Sequence, residues 1–407
     1  MRNHLLQIFV ATFIALVAIA GFNWLVDPYG IWNSPKIRGV NTAQSELAIH
    51  ERIYKTVGLA RHPADTIILG TSRSDIGINP NHPALGKDAI NLAISAQPNR
   101  ETHRLFDALN DRQKINTVVI GLDFFASNNL LPEPPDFVAE NFTIDRSWKL
   151  AFSGSTLMDS LRTIIKRKVL LSDTWSERGL RLWSAQYIKE GEGHRKLMKG
   201  SENGYLAVNY LPLPSCSYGF SSTDGRLPQL EEIRAIFARA HSDHIALKLL
   251  ISPSHARQWE TLAAAGLWGK WEEWKHRLVK MNEEEAQRAG QPIFPLWDFS
   301  GYNSISTEVV PVLGDTTTMM HWYFDSSHFT PAAGDLVLDR IFNYKSPDRT
   351  VPDDFGVLLT SQNIESRLAN IRADREHYRQ SHPDDINEIE AMARKVAKTK
   401  HCQIVQK

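Results

Sequence analysis

Thr66-Ile67-Ile68-Leu69-Gly70-Thr71-Ser72-Arg73 decides the architecture of this chain. A short apolar run rich in β-branched residues is a strand covered on both faces. It stops at a glycine, and the hydroxyl residues beyond can cap a helix start. The same kind of run recurs at Ala89–Ile94, Thr117–Phe125, Ile245–Ile251 and Pro292–Trp297. Helical patterns fall between these runs: Arg100–Asn110, Gln229–Ala240, and one or two helices within Gln258–Ala289. Thr330-Pro331 supplies an N-cap followed by proline at the first helical position, so a further helix is expected from Pro331 to about Phe342. The alternation predicts an α/β fold, a three-layer sandwich around a mainly parallel sheet. Ligands in such sheets lie beyond the carboxyl ends of the strands, where Ser72 and Asp123 both fall.

Upstream, the stretch Leu5 to Val26 carries no charged residue and is long enough to cross a bilayer as one helix, with Trp24 at the far interface. Ala18-Ile19-Ala20 resembles a signal-peptide cleavage site, but apolarity continues past it, which favours an uncleaved anchor. Under either reading the basic end stays inside and the rest of the chain is exported; in a bacterium this means an inner-membrane, single-pass protein with a periplasmic domain. The organisation is therefore read as an anchor (1–26), a juxtamembrane segment (27–60) and an α/β domain (61–345), followed by a charged helical tail (346–407), taken as peripheral. The juxtamembrane segment opens with the turn Asp27-Pro28-Tyr29-Gly30 and holds a helix near Glu46–Leu59. An insertion at about 130–226 interrupts the α/β rhythm. It opens with Pro132-Glu133-Pro134-Pro135-Asp136, carries a basic helix-like segment, Leu161–Leu171, and ends in a Pro/Ser/Gly-rich passage from Leu211 to Gly225. Such insertions gather at functional faces, so it reads as a lid or substrate-binding element, or else as a helical embellishment.

With 407 residues the chain can bury a large core, and 46 basic residues balance 46 acidic ones. No pronounced basic block is present, which argues against nucleic acid as a partner. The two cysteines, Cys216 and Cys402, have no metal-like spacing; the sequence gives no argument for a disulfide between them and leaves that alternative open, and they are read as two unpaired or incidental thiols. The fifteen histidines include no His-x-x-x-His pair, and no Gly-rich phosphate loop is present. Neither a metal nor another cofactor is therefore expected.

The second decisive block is Asp325-Ser326-Ser327-His328, immediately before the helix start at Thr330-Pro331. Serine is a weak nucleophile until a base takes its proton, and that base needs a third group to fix its tautomer. Three residues apart, Asp325 and His328 can turn toward one point, and Ser72 at a strand end can face it. Ser72, His328 and Asp325 are thus the candidate nucleophile, base and orienting carboxylate.

On these blocks the chain resembles the SGNH hydrolase superfamily, whose sheet is flavodoxin-like. Gly70-Thr71-Ser72-Arg73 stands for its first block and Asp325-x-x-His328 for its last, over about Asp65 to Tyr344. With the anchor in front, the chain is similar to exported acyltransferases of that superfamily, in block order to the D-alanyl transfer protein of teichoic acids and more loosely to alginate O-acetylation proteins. The resemblance implies a membrane-anchored serine acyltransferase or esterase acting on O-acyl groups of a cell-surface polysaccharide. It implies a glycan acceptor and a multi-pass membrane O-acyltransferase as partners; the alternatives are a polysaccharide deacetylase and a non-catalytic assembly or glycan-binding protein. It also implies oxyanion donors from the serine N–H, a glycine N–H and an asparagine side chain. Here Ser95 or Ala96 stands in the glycine place and Asp123 in the asparagine place, and an ionised carboxylate cannot donate. Arg73, Asn99, Asn128 and His255 are the remaining oxyanion or substrate candidates. Trp322 would either pack under the catalytic loop or stack on a sugar.

Overall fold

The computed structural model describes residues 2–131, 146–166, 174–213, 215–222 and 225–402. The Pro-rich opening of the insertion and the end of its basic helix, residues 167–171, lie outside the described residues. The chain divides into two compact units, residues 1–63 with 134–182, and residues 64–133 with 183–407. The insertion is thus shared between the two units.

In the first unit a single helix runs Arg2–Val26, and its Asn3–Val26 portion is long and apolar enough to span a membrane. At 1.5 Å per residue that portion reaches about 36 Å, against a hydrocarbon core of about 30 Å. Its foot is fastened by polar side chains rather than left free. Asn23 donates to the carbonyls of Ala151 and Ser153 and accepts from Ser160 Oγ. These partners belong to or border the helices Arg146–Ala151 and Gly154–Ile165. Asp27 Oδ1 accepts from the Ile31 and Trp32 N–H groups, closing the expected turn, with Gly30 at φ 64°. The helix expected near Glu46–Leu59 is an α turn (Glu51–Ile53), a π turn (Tyr54–Gly58) and a 3₁₀ turn (Leu59–Arg61) in succession.

The second unit is built on a six-stranded sheet: β1 (Thr66–Leu69), β2 (Ala89–Asn91), β3 (Thr117–Leu122), β4 (Ala246–Ile251), β5 (Leu296–Asp298) and β6 (Val357–Leu358). Their order is β2-β1-β3-β4-β5-β6, all parallel except β6, which pairs antiparallel with β5. All five anticipated strands are present, β2 and β3 ending earlier than the apolar runs do and β5 starting later. Strand alternation explains why those runs are continuous. Ile68, Val119 and Leu250 face the helix Pro331–Phe342 through Leu336, Val337 and Ile341, while Ile67, Val118, Leu247 and Leu249 are just as buried on the other side. The helix Pro228–Ser242 packs against β4 and against the helices Asn99–Asn110 and Trp268–Ala289.

The charged tail is an integral part of this unit and not peripheral. It contributes β6, and Arg367 reaches Asp298 at the end of β5, where buried Lys275 also pairs at 2.9 Å. Asp385 and Glu388, on the helix Pro383–Lys400, pair with the wholly buried Arg257, which also holds Glu202. The expectation of unpaired thiols is likewise corrected: Cys216 and Cys402 form a disulfide across 186 residues, with Cα atoms 5.3 Å apart. Two cysteines that far apart in sequence meet only once the tail is docked.

Candidate active site

Strand order reverses direction between β1 and β3, and in open α/β sheets ligands bind at such a switch point, beyond the carboxyl ends of the strands. Ser72 stands there as the first residue of a short helix, Ser72–Gly77, capped by the Thr71 side chain. At the first helical position its N–H has no intrahelical acceptor. Gly70, at φ 140°, makes the turn: a Cβ there would lie 2.6 Å from Ser74 Oγ and 3.0 Å from the Gly121 carbonyl.

His328 arrives on a tight loop. Phe324 N–H donates to the His328 carbonyl at 2.9 Å, Thr330 N–H donates to the Trp322 carbonyl, and Tyr323 bridges Phe329. Asp325 fixes the loop from inside, its Oδ1 accepting from the N–H groups of Ser327 (2.8 Å) and His328 (3.0 Å). Its Oδ2 lies 2.8 Å from His328 Nδ1. A carboxylate only accepts, so the imidazole proton sits on Nδ1 and Nε2 is left as an acceptor. Nε2 lies 2.9 Å from Ser72 Oγ, although the two residues are 256 apart in sequence. Burial by itself would raise the Asp325 carboxyl, but the attraction of His328 in its imidazolium form and its hydrogen bond, with the two backbone donors, outweigh it and hold the group below its ordinary value. Ser72 and His328 are partly exposed, while Asp325 is buried. The three predicted residues are therefore brought together in hydrogen-bonding sequence.

Two glycines set this spacing. The helix after the loop crosses the Ser72 helix so closely that a Cβ on Gly334 would lie 1.8 Å from the Gly77 carbonyl oxygen. A Cβ on Gly77 would lie 2.0 Å from the ring of Phe329, the residue after His328. Only bare backbone allows the two elements this approach.

The other candidates are distributed differently. Arg73 turns away from the reacting atoms into the protein. Its Nη1 donates to Asp123 Oδ1 at 2.6 Å and its Nε to Ser327 Oγ at 3.0 Å, while its guanidinium lies against Phe125 and Tyr205. Asp123 accepts from Thr71 Oγ1 through its second oxygen, at 2.5 Å. So Asp123 occupies its position as the counter-ion of a buried arginine that ties β1, β3 and the His328 loop together. Tyr205 completes that tie through a 2.7 Å contact between its Oη and Ser327 Oγ. Ala96 takes φ 52°, the left-handed conformation expected of a glycine, and its side chain is exposed. Among the described residues, neither its N–H nor that of Ser72 donates a hydrogen bond.

His255 is a structural group, not a substrate contact. Its Nδ1 accepts from Arg257 N–H as a helix cap and its Nε2 meets the Glu308 carbonyl at 2.7 Å, with burial driving its pKa down to about 4. Asn99 is spent on Ser127 Oγ and the Gln229 carbonyl, and Asn128 on Asn209, Leu130 and Gly219. Trp322 packs on the core and edge-on to His321 rather than standing free. Among the described residues, the aromatic that does meet the triad is Trp183, its ring centroid 4.9 Å from that of His328 at 63°. Tyr187 stacks behind it at 3.9 Å, and Phe324 lies 5.6 Å away. Trp183 sits in an irregular stretch with no periodicity, so only its residue type could have drawn attention to it.

Away from this site, Glu46, His50 and Asp159 of the first unit bring potential ligand atoms within 4.8 Å of one another. Cations and donors already occupy these carboxylates: Lys166 pairs with Glu46, and Arg162 and Tyr29 with Asp159. The trio is a satisfied polar network. No protein-family model, curated protein or solved structure matches the chain.

Proposed function

We propose that this is an exported, membrane-anchored serine acyl-group enzyme of SGNH type, with a three-layer sandwich as its catalytic domain, acting on O-acyl groups of a cell-surface polysaccharide. The observation that carries the reading is the unbroken chain Ser72 Oγ, His328 Nε2, His328 Nδ1, Asp325 Oδ2, with contacts of 2.9 and 2.8 Å. His328 takes the Ser72 proton as Oγ attacks the ester carbonyl, and returns it to the leaving alcohol. Asp325 holds the tautomer and stabilises the imidazolium that forms. The N–H groups of Ser72 and Ala96 are the donors for the oxyanion, Ala96 standing in for glycine by adopting its backbone conformation. The strand order β2-β1-β3-β4-β5 supports the flavodoxin-like assignment, with Ser72 at the switch point.

The non-catalytic alternative drew its support from Asp123, and the Arg73 pairing removes that support, since the carboxylate does not need to face the oxyanion. The anchoring helix and the disulfide both favour an oxidising compartment outside the cytoplasmic membrane. Transfer is preferred over hydrolysis because a tethered site stays beside membrane-borne donors and nascent glycans; a multi-pass O-acyltransferase would be the donor-side partner.

A fluorophosphonate probe on the full-length protein in detergent tests the reading. Labelling should occur at Ser72 and disappear in Ser72→Ala and His328→Ala. A folded wild-type protein that takes no label under conditions that label a known serine esterase refutes it.

A further inference from the structure

We propose that Trp183, with Tyr187 stacked behind it, is the acceptor subsite of the Ser72 centre and binds the carbon-rich face of a pyranose ring beside His328. This rests on the acyl-enzyme reading above. The pair is built as a fixed wall. Ser184 caps the helix Ala185–Glu190 through its side chain, setting Tyr187 against Trp183 at an interplanar angle of 23°. Buried Phe324 and Ile188 pack with both rings, and His194 braces the Phe324 carbonyl at 3.0 Å. Trp183 and Tyr187 are each half-buried, so the wall is partly open to solvent.

Its position relative to the base gives it a chemical consequence. Deacylation requires a hydroxyl next to His328 Nε2. His328 takes that hydroxyl's proton while the acceptor oxygen bonds to the acyl carbon. The Ser72 ester bond then breaks, and the same proton returns to Ser72 Oγ, leaving acylated acceptor and free enzyme. Water and sugar hydroxyls compete for this place. An aromatic surface contacting the imidazole offers water few hydrogen bonds but offers a sugar's C–H face a broad apolar contact. It therefore raises the occupancy of the sugar over that of water.

The experiment follows the partition of the acyl-enzyme in full-length protein, with p-nitrophenyl acetate as donor. Transfer to cellopentaose, chitopentaose or xylopentaose is compared with transfer to methanol, which has no ring to stack. Dividing one by the other cancels any change in acylation or folded fraction. Trp183→Ala should lower the pyranose-to-methanol ratio at least tenfold, and Trp183→Phe should restore much of it. A ratio unchanged within twofold in Trp183→Ala overturns the inference, as does a wild type that acylates yet transfers to none of the pyranoses. If wild type releases no more nitrophenol than Ser72→Ala, the acyl-enzyme reading itself has failed, and this inference falls with it.

Discussion

Replacing Asp123 by asparagine separates a structural role for this residue from a catalytic one. Asparagine is the residue that an SGNH-type oxyanion site would place there, so the swap looks corrective on sequence grounds. The structure predicts damage. The side chains of Arg73 and Asp123 are 3% and 0% exposed, so solvent screens almost none of their interaction. Among the described residues no other carboxylate pairs with Arg73; its remaining partners are the Ser327 hydroxyl and two aromatic rings. Removing one partner of a buried pair costs about 3–5 kcal/mol because the other charge is left uncompensated. Urea unfolding of full-length Asp123→Asn should show a loss of this order at an unchanged slope. Adding Arg73→Met removes the stranded charge, so the double variant should be more stable than Asp123→Asn alone. Activity of the single variant should also fall, because Arg73 anchors the Ser327 side chain next to His328. An Asp123→Asn protein with wild-type stability and faster acylation would refute this reasoning and place residue 123 at the oxyanion.

Other perturbations follow from the same geometry. In Gly334→Ala a methyl 1.8 Å from the Gly77 carbonyl must push the two helices apart. The separation of Ser72 from His328 then grows, and fluorophosphonate labelling should slow by about 100-fold or more. Reducing the Cys216–Cys402 disulfide, or changing both cysteines to serine, opens a loop of 186 residues and should cost about 2–5 kcal/mol, read by urea unfolding with and without reductant. Neutral His255 in the fold has its pKa depressed to about 4, from an ordinary 6.5. The unfolded chain therefore binds a proton first as pH falls, and stability should drop between pH 6.5 and 4 by on the order of 3 kcal/mol. His255→Asn should flatten stability over that window. Asp325 acts lower in the scale: its carboxyl is depressed, so its stabilising contribution is complete above the unfolded carboxylate pKa and is lost as pH falls from there through the lower native one. Asp325→Asn should remove that acid limb.

The sequence by itself determined whatever short-range chemistry encodes. Thr66–Leu69 ending in glycine is a strand entering a turn whatever surrounds it. Thr330-Pro331 starts a helix because proline already has helical φ, and an uncharged run long enough to span a bilayer can enter one only as a helix, whose backbone bonds to itself. Asp325 and His328 lie close enough in sequence for one loop to hold both. Tertiary structure decided everything that joins distant segments. Ser72 met His328 across 256 residues only because Gly77 and Gly334 let two helices touch. Asp123 looked misplaced until Arg73 was seen turned inward, and neither residue carries a local sign of its partner. Residues 346–407 read as a peripheral tail because their surfaces are charged, yet those charges are paired with Arg257 and Asp298 inside the fold. Charge and aromaticity read along a chain say what a side chain can bond to. Which partner it finds depends on the docking of whole elements, and that is fixed by shape and burial over the entire unit.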